Sequence, residues 1–209
     1  MDLLELVRSG VEYAVTRFRD NVARGVVYVT DVSTCLRRAY FDVVLGYRVT
    51  KVMEGGKHAH EETLARFCEY VRSRGHSCEY EVPVSTTVEG RCMVVQLDGR
   101  VDAVIDNRII VELKFSNRVH DHHVRQCEYY AWMMGADRYI ICLVKDSGDI
   151  ECVLMKRRVP DEALVSRIDA LTCAVLDREP PKPEPGPWCS NCPHKPMCAA
   201  SRKLTEYLV

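Results

Sequence analysis

Apolar residues recur at helical spacing over residues 3–23, where Leu3, Leu4, Val7, Val11, Ala14, Val15 and Phe18 share a face. The pattern predicts a helix there, a bridge over 25–29, and a second helix over 32–45 that Thr30 or Asp31 can cap. A third helix is expected to follow Gly55-Gly56 and run to Arg74, with Gly75 as its stop. The period then changes. Residues 79–88, 92–97, 100–105 and 108–115 are rich in Val and Ile, and Glu89-Gly90, Asp98-Gly99 and Asp106-Asn107 separate them as turns. An antiparallel run of strands is the expectation. A helix over 119–134, strands over 139–144 and 150–155, and a helix over 161–176 complete the regular part.

The segment Pro180-Pro181-Lys182-Pro183-Glu184-Pro185-Gly186-Pro187 can form neither helix nor central strand and reads as a stiff connector. Beyond it lie three cysteines and a short amphipathic tail over 198–208. Helices, then strands, then a helix and two strands describe an α/β layered domain. We read one domain over 1–209, with a helical region at 1–55, a core at 56–177 and a connector with a cysteine-bearing tail at 178–209.

Composition narrows the classes. The chain has 209 residues, 47% hydrophobic and 28% charged, as expected of a globular domain and not of a disordered one. No apolar run approaches the roughly 20 residues that span a bilayer, and no export signal is visible, so a cytoplasmic protein is expected. The net charge of -1 lacks the basic footprint of a nucleic-acid coat protein. It does not argue against a nuclease, whose metal-binding carboxylates offset basic residues elsewhere. Arg37, Arg38, Arg118 and Arg125 are candidate strand guides or a solvated face. There are 11 cysteines. Cys68, Cys78, Cys92, Cys127, Cys142, Cys152 and Cys173 fall in predicted helices or strands, or beside them, and read as small core hydrophobes. Scarce Asn and Gln point weakly to a heat-adapted source, in which disulfides among those seven stay open.

Two constellations carry chemistry. In Ile109-Ile110-Val111-Glu112-Leu113-Lys114-Phe115, alternation puts Glu112 and Lys114 on one strand face, where a central strand should be apolar. A hairpin through Asp106-Asn107 would lay Asp102 beside them. Two carboxylates bind Mg²⁺ or Mn²⁺ through oxygen, and a lysine orients water and stabilises phosphate charge. An exposed ion pair on a strand face is the open alternative. Of His58 and His60, two apart on a helix, at most one can face such a site; Gln126 and Tyr130, four apart, share a face. The second constellation is Cys189-Ser190-Asn191-Cys192 with Cys198, a C-x2-C-x5-C set, with Cys35 far upstream. Four thiolates suit Zn²⁺ or an iron–sulfur cluster, and the distant Cys35 would staple one end of the chain to the other.

The order His60-Glu61, Gly99-Arg100-Val101-Asp102, Glu112-Leu113-Lys114 and Gln126…Tyr130 resembles the RecB-like nucleases of the PD-(D/E)xK superfamily. That resemblance implies His60, Asp102, Glu112 and the Leu113 carbonyl as metal ligands, Lys114 as catalytic lysine, and Gln126 and Tyr130 on the DNA. With the four cysteines, the chain resembles the iron–sulfur nucleases, in particular the CRISPR-associated exonuclease family that bears number four in the Cas nomenclature. This implies a 4Fe–4S cluster on Cys35, Cys189, Cys192 and Cys198, cleavage of single-stranded DNA, and spacer processing with CRISPR integrase proteins. A repair nuclease served by a separate helicase, since the chain has no P-loop, and a non-catalytic metal-cluster module are the alternatives.

Overall fold

The structure, a computed structural model, describes residues 2–17, 20–48 and 51–198. The predicted tail beyond Cys198 lies outside the described residues. The chain opens with α1 (Leu3–Val15), β1 (Thr16–Arg17), β2 (Val26–Tyr28), α2 (Val29–Ser33), α3 (Leu36–Leu45) and β3 (Tyr47–Arg48). It continues with α4 (Lys51–Ser73), β4 (Cys78–Glu89), β5 (Val94–Ile105), β6 (Ile109–Phe115) and α5 (Asp121–Met134). It ends with β7 (Arg138–Val144), β8 (Ile150–Lys156), α6 (Asp161–Asp177) and a 3-10 turn at Pro187–Asn191.

Six strands form one mixed sheet in the order β2-β5-β6-β7-β8, with β4 also paired to β5; β1 and β3 form a separate two-stranded ladder. The expected antiparallel run holds for β4, β5 and β6, but β2 joins β5 and β7 joins β6 in parallel. Helix α4 covers one face. Its Leu64, Phe67, Cys68 and Val71, at helical spacing, pack on Ala103, Val111 and Leu113. On the other face α5 and α6 press Cys127, Tyr129, Leu164 and Ile168 onto Val104, Ile110 and Ile141. The strand pair that bears the predicted carboxylates is therefore buried on both sides, and a charge there cannot be a solvated one.

Four expectations are corrected. The helix expected over 3–23 ends at Val15, and Thr16–Arg17 pairs as a strand with Tyr47–Arg48. Residues 92–97 and 100–105 are one strand, because β4 pairs with it from Cys78↔Ile105 to Glu89↔Val94. That continuous ladder outweighs the turn preference of Asp98-Gly99. The turn at Asp106-Asn107 is real, with both residues in the left-handed region at φ 51° and 55°. The helix expected over 32–45 is broken at Thr34 and Cys35, which are extended. The carbonyls of Val32 and Thr34 accept from Arg167, and that of Ser33 from Arg125, so none is left to continue a helix. The third helix starts at Lys51 and runs through Gly55-Gly56, since glycine weakens a helix by about 1 kcal/mol without forbidding it.

Six of the seven cysteines read as core hydrophobes are paired. Cys68–Cys78 ties α4 to β4, Cys142–Cys152 links registered positions of β7 and β8, and Cys92–Cys173 ties the β4–β5 connection to α6. Cys68, Cys78, Cys127 and Cys173 are buried, as the core reading expects, but of the seven only Cys127 is unpaired. The Cys92–Cys173 bridge spans a sequence separation of 81, against 10 for the others. Loop entropy then assigns it roughly 4–5 kcal/mol, and about 3 kcal/mol to each short bridge. A Cys92→Ser/Cys173→Ser variant should lose more urea stability than Cys68→Ser/Cys78→Ser. Equal losses would mean that residual unfolded structure, not loop closure, governs the effect.

Candidate active site

The β5–β6 register, Ala103↔Val111, sets Asp102 and Glu112 side by side. Alternation points Glu112 beneath α5, where it is fully buried. Lys114 Nζ lies 2.5 Å from Glu112 Oε1, and Oε2 has no hydrogen-bond partner among the described residues. Burial pushes the Glu112 carboxyl up to about 7, opposed by the Lys114 charge and reinforced by Asp102. Lys114 Nζ also donates to Gln126 Oε1 at 3.2 Å. Burial alone would lower the Lys114 pKa, but the charges of Glu112 and Asp102 outweigh it and hold the ammonium above its ordinary value.

His60 reaches this strand pair from α4. Its Nε2 lies 3.2 Å from Asp102 Oδ2 and 3.1 Å from the Leu113 carbonyl oxygen. The hydrogen bond with Asp102 is the largest cause of its raised pKa; burial opposes, and the Asp102 charge and the Leu113 carbonyl add. Asp102 Oδ2 also accepts from the Leu113 N–H at 2.8 Å, which fixes the carboxylate. His58, two residues earlier, is exposed. The geometry thus brings together His60, Asp102, Glu112, Leu113 and Lys114.

Gln126 bridges Lys114 to Tyr130, donating from Nε2 to the tyrosine hydroxyl at 3.1 Å. The Tyr130 ring is 2% exposed and forms the floor of a cleft of about 860 Å³ that opens beside His60 and Asp102. A Cβ on Gly99 would sit 2.6 Å from that ring and 3.0 Å from Val29, so glycine is required for the strand to lie on the floor. Of the arginines considered as strand guides, Arg37 donates to the Pro181 carbonyl and Arg125 to that of Ser33, both holding chain segments together.

One residue escaped the sequence reading. Glu81, opposite Asp102 on β4, has its carboxylate within 4.8 Å of the ligand atoms of both His60 and Asp102. It adopts φ 54° and pairs with Arg100 at 2.9 Å. No motif marks it, because its place depends on cross-strand register alone. Glu128 is also buried, but its oxygens accept from Tyr139 and from the Arg158 and Val159 N–H groups, which accounts for it structurally.

The other constellation also converges. Cys35, Cys189, Cys192 and Cys198 line one cavity of about 220 Å³ with Phe41 and Trp188. Cys35, Cys189 and Cys192 are outside the three disulfides, and the Gly186 N–H donates to Cys189 Sγ at 3.4 Å. His194, between Cys192 and Cys198, is bonded to Asp42 of α3 at 2.8 Å, and Arg167 bonds Glu184 of the connector. The connector is thereby fastened to the helices.

At the start of α5, three histidines lie between this cavity and Lys114. The His122 ring contacts His123 at 4.2 Å and Trp188 at 6.0 Å between centroids. Burial, then neighbouring positive charge, pushes His122 down to about 4 and His123 to about 3. His123 Nδ1 accepts the His120 N–H, which requires the unprotonated nitrogen. Both groups have folded pKa values below the ordinary 6.5. Their contribution is therefore complete above that value and is lost as pH falls toward 4 and 3. The urea midpoint should decline from pH 6.5 to 4, and a His122→Asn/His123→Asn variant should show a shallower decline. Parallel profiles would assign the acid limb elsewhere.

A mixed α/β sheet with a buried carboxylate pair, a lysine and a histidine offers oxygen and nitrogen ligands that could hold a divalent cation. Residues 48–143 match the family model described as the PD-(D/E)XK nuclease superfamily. The crystal structure of SSO0001 is similar in fold, with a TM-score of 0.67 at 19% identity over 96% of each chain. Two structures of LHK-Exo are more distant. One, in complex with dAMP, has a TM-score of 0.48 at 16% identity, over 76% of this chain and 90% of the other. The other, described as an alkaline exonuclease from Laribacter hongkongensis, has a TM-score of 0.46 at 12% identity, over 88% and 95%. No curated protein matches the chain in sequence. Among the described residues no helix is long and apolar enough to cross a membrane.

Proposed function

We propose that the chain is a divalent-metal-dependent DNA exonuclease with a structural iron–sulfur cluster, acting on single strands in CRISPR adaptation. The observation that carries the nuclease reading is the convergence on His60 Nε2 of Asp102 Oδ2 and the Leu113 carbonyl at 3.2 and 3.1 Å. Adjacent ligands of an octahedral ion with bonds of about 2.1 Å stand roughly 3.0 Å apart. His60 Nε2 stands at about that spacing from both oxygens, and the neighbouring carboxylates of Glu81 and of the buried Glu112 could complete the set.

Mg²⁺ or Mn²⁺ held there would lower the pKa of an attacking water and stabilise charge on the phosphate. The protein's own groups do the rest. Asp102 is fixed by the Leu113 N–H, and the Lys114 charge opposes the burial that raises the Glu112 carboxyl. Lys114, aimed by Gln126, presents a charged ammonium that can hold the water or a phosphoryl oxygen. The buried sheet face keeps competing water away from Glu112. A non-catalytic module would leave that buried carboxylate–lysine pair without a purpose, since an apolar pair would be as stable there.

For the cysteines, four thiols on one cavity support a shared metal or cluster, and the choice of iron–sulfur over zinc rests on the sequence resemblance. Exonuclease polarity aside, the single-strand preference, the CRISPR role and the integrase partners rest on the sequence resemblance. Cytoplasmic placement is compatible with three disulfides in a heat-adapted cell.

The test is cleavage of end-labelled single and double strands with Mg²⁺, Mn²⁺ or chelator, beside iron, sulfide and zinc analysis of the purified chain. We expect metal-dependent loss of single strand from its ends and iron with sulfide near four each. Metal-independent cleavage, or none with either cation, would overturn the enzyme reading; zinc in place of iron would overturn the cluster.

A further inference from the structure

The cleft extends well past the metal-binding residues, and its far wall has a defined chemistry. Strand register sets Tyr28 of β2, Asp98 of β5 and Ser85 of β4 in one row, and all three line the cleft. Along β5, alternation puts Gln96, Asp98, Arg100 and Asp102 on the same face. Ser85 Oγ and Gln96 Nε2 donate to Asp98 Oδ1 at 2.6 and 3.0 Å. Both bonds fall on one oxygen, and Oδ2 accepts none of the hydrogen bonds seen among the described residues. Tyr28, 37% exposed, stands beside this carboxylate.

We propose that this row is a base-binding subsite that selects guanine in the strand being cut; the proposal rests on the nuclease reading above. Asp98 is four residues from Asp102, or roughly 13 Å at strand rise. A stacked strand covers that in about four nucleotides at roughly 3.4 Å each, and an extended one in fewer. A bare carboxylate repels phosphate, so the backbone belongs on Arg100, whose exposed guanidinium lies between Asp98 and Asp102, and a base edge belongs on Asp98. The Tyr28 ring offers that base a stacking surface. An ionised carboxylate only accepts. Guanine's ring N–H and amino group lie side by side and can share Oδ2. Thymine fits worst, because its one ring N–H is flanked by carbonyl oxygens that would face the carboxylate.

The experiment measures binding of labelled oligothymidine strands, each with a single guanine at a successive position from either end. The full chain carrying Glu112→Gln is used so that nothing is cut. One position within about four nucleotides of an end should bind roughly tenfold tighter with guanine than with thymine. Asp98→Asn, whose amide can donate to a thymine carbonyl, should abolish or reverse that ratio. Tyr28→Ala should weaken both strands several-fold and leave the ratio in place. A ratio of one at every position, or a ratio that survives Asp98→Asn, overturns the subsite. If Asp98→Asn instead lowers the number of Mn²⁺ ions bound, Asp98 is a metal ligand and the proposal fails. Base selection by a chain that cuts nothing would sink the nuclease reading alone; cutting without base selection would sink the subsite alone.

Discussion

Glu112→Gln is expected to lower cleavage by on the order of 10³-fold or more while the protein stays folded. The substitution keeps the shape of a fully buried side chain and removes only its charge. The wild-type carboxylate is buried, with Lys114 Nζ on Oε1 and no hydrogen-bond partner on Oε2 among the described residues. A divalent cation would take the remaining lone pairs. Two readouts separate a ligand from a packing residue. Mn²⁺ should raise the melting temperature of the wild type by mass action and leave that of Glu112→Gln nearly unchanged. Lys114→Ala, in contrast, should lose roughly 10²–10³-fold in rate yet keep the Mn²⁺ shift, since it binds no metal. If Glu112→Gln cuts at the wild-type rate, the site lies elsewhere.

Cys35→Ser should be the most damaging change outside the sheet. Cys189, Cys192 and Cys198 are near neighbours in sequence, whereas Cys35, as a ligand of the proposed cluster, would close a loop of roughly 150 residues onto them, worth up to ~5 kcal/mol. The Cys92–Cys173 bridge already shortens that loop, so about 2–4 kcal/mol is the more realistic loss. The variant should also show reduced iron and bleached visible absorbance. Cleavage of single strands in Mn²⁺ at a temperature where it remains folded should persist, because His60, Asp102 and Glu112 are held by α4 and the β5–β6 pair. Unchanged melting with iron retained would show that Cys35 is not a ligand.

Much of the site was legible in the chain. Alternation in residues 109–115 and the turn at Asp106-Asn107 suffice to place Asp102, Glu112 and Lys114 together, and the register Ala103↔Val111 agrees. The spacing of Gln126 and Tyr130 correctly put them on one face of α5, joined by a hydrogen bond. What that spacing could not say is which way the face turns. Tyr130 is the cleft floor, covered by Gly99, and its ring has no open face for a base. Cysteine pairing was likewise hidden, because Cys92 meets Cys173 only after α6 crosses the sheet.

The sequence by itself determined what depends on near neighbours. These are the two helices that follow the β5–β6 hairpin, most strand limits, the hairpin itself with its carboxylates and lysine, and the pairing potential of C-x2-C-x5-C. All follow from side-chain periodicity and local turn preference, which act over a few residues. The tertiary structure decided what depends on distant partners. The β4–β5 ladder overrode the Asp98-Gly99 turn and, by register, carried Glu81 opposite Asp102 and Ser85 opposite Asp98. Arg125 and Arg167 took the carbonyls of Val32, Ser33 and Thr34, broke the helix there and left Cys35 at the head of α3, on the wall of the thiol cavity. In each case a backbone or carboxylate group found a better hydrogen-bonding partner far along the chain than any its neighbours could offer.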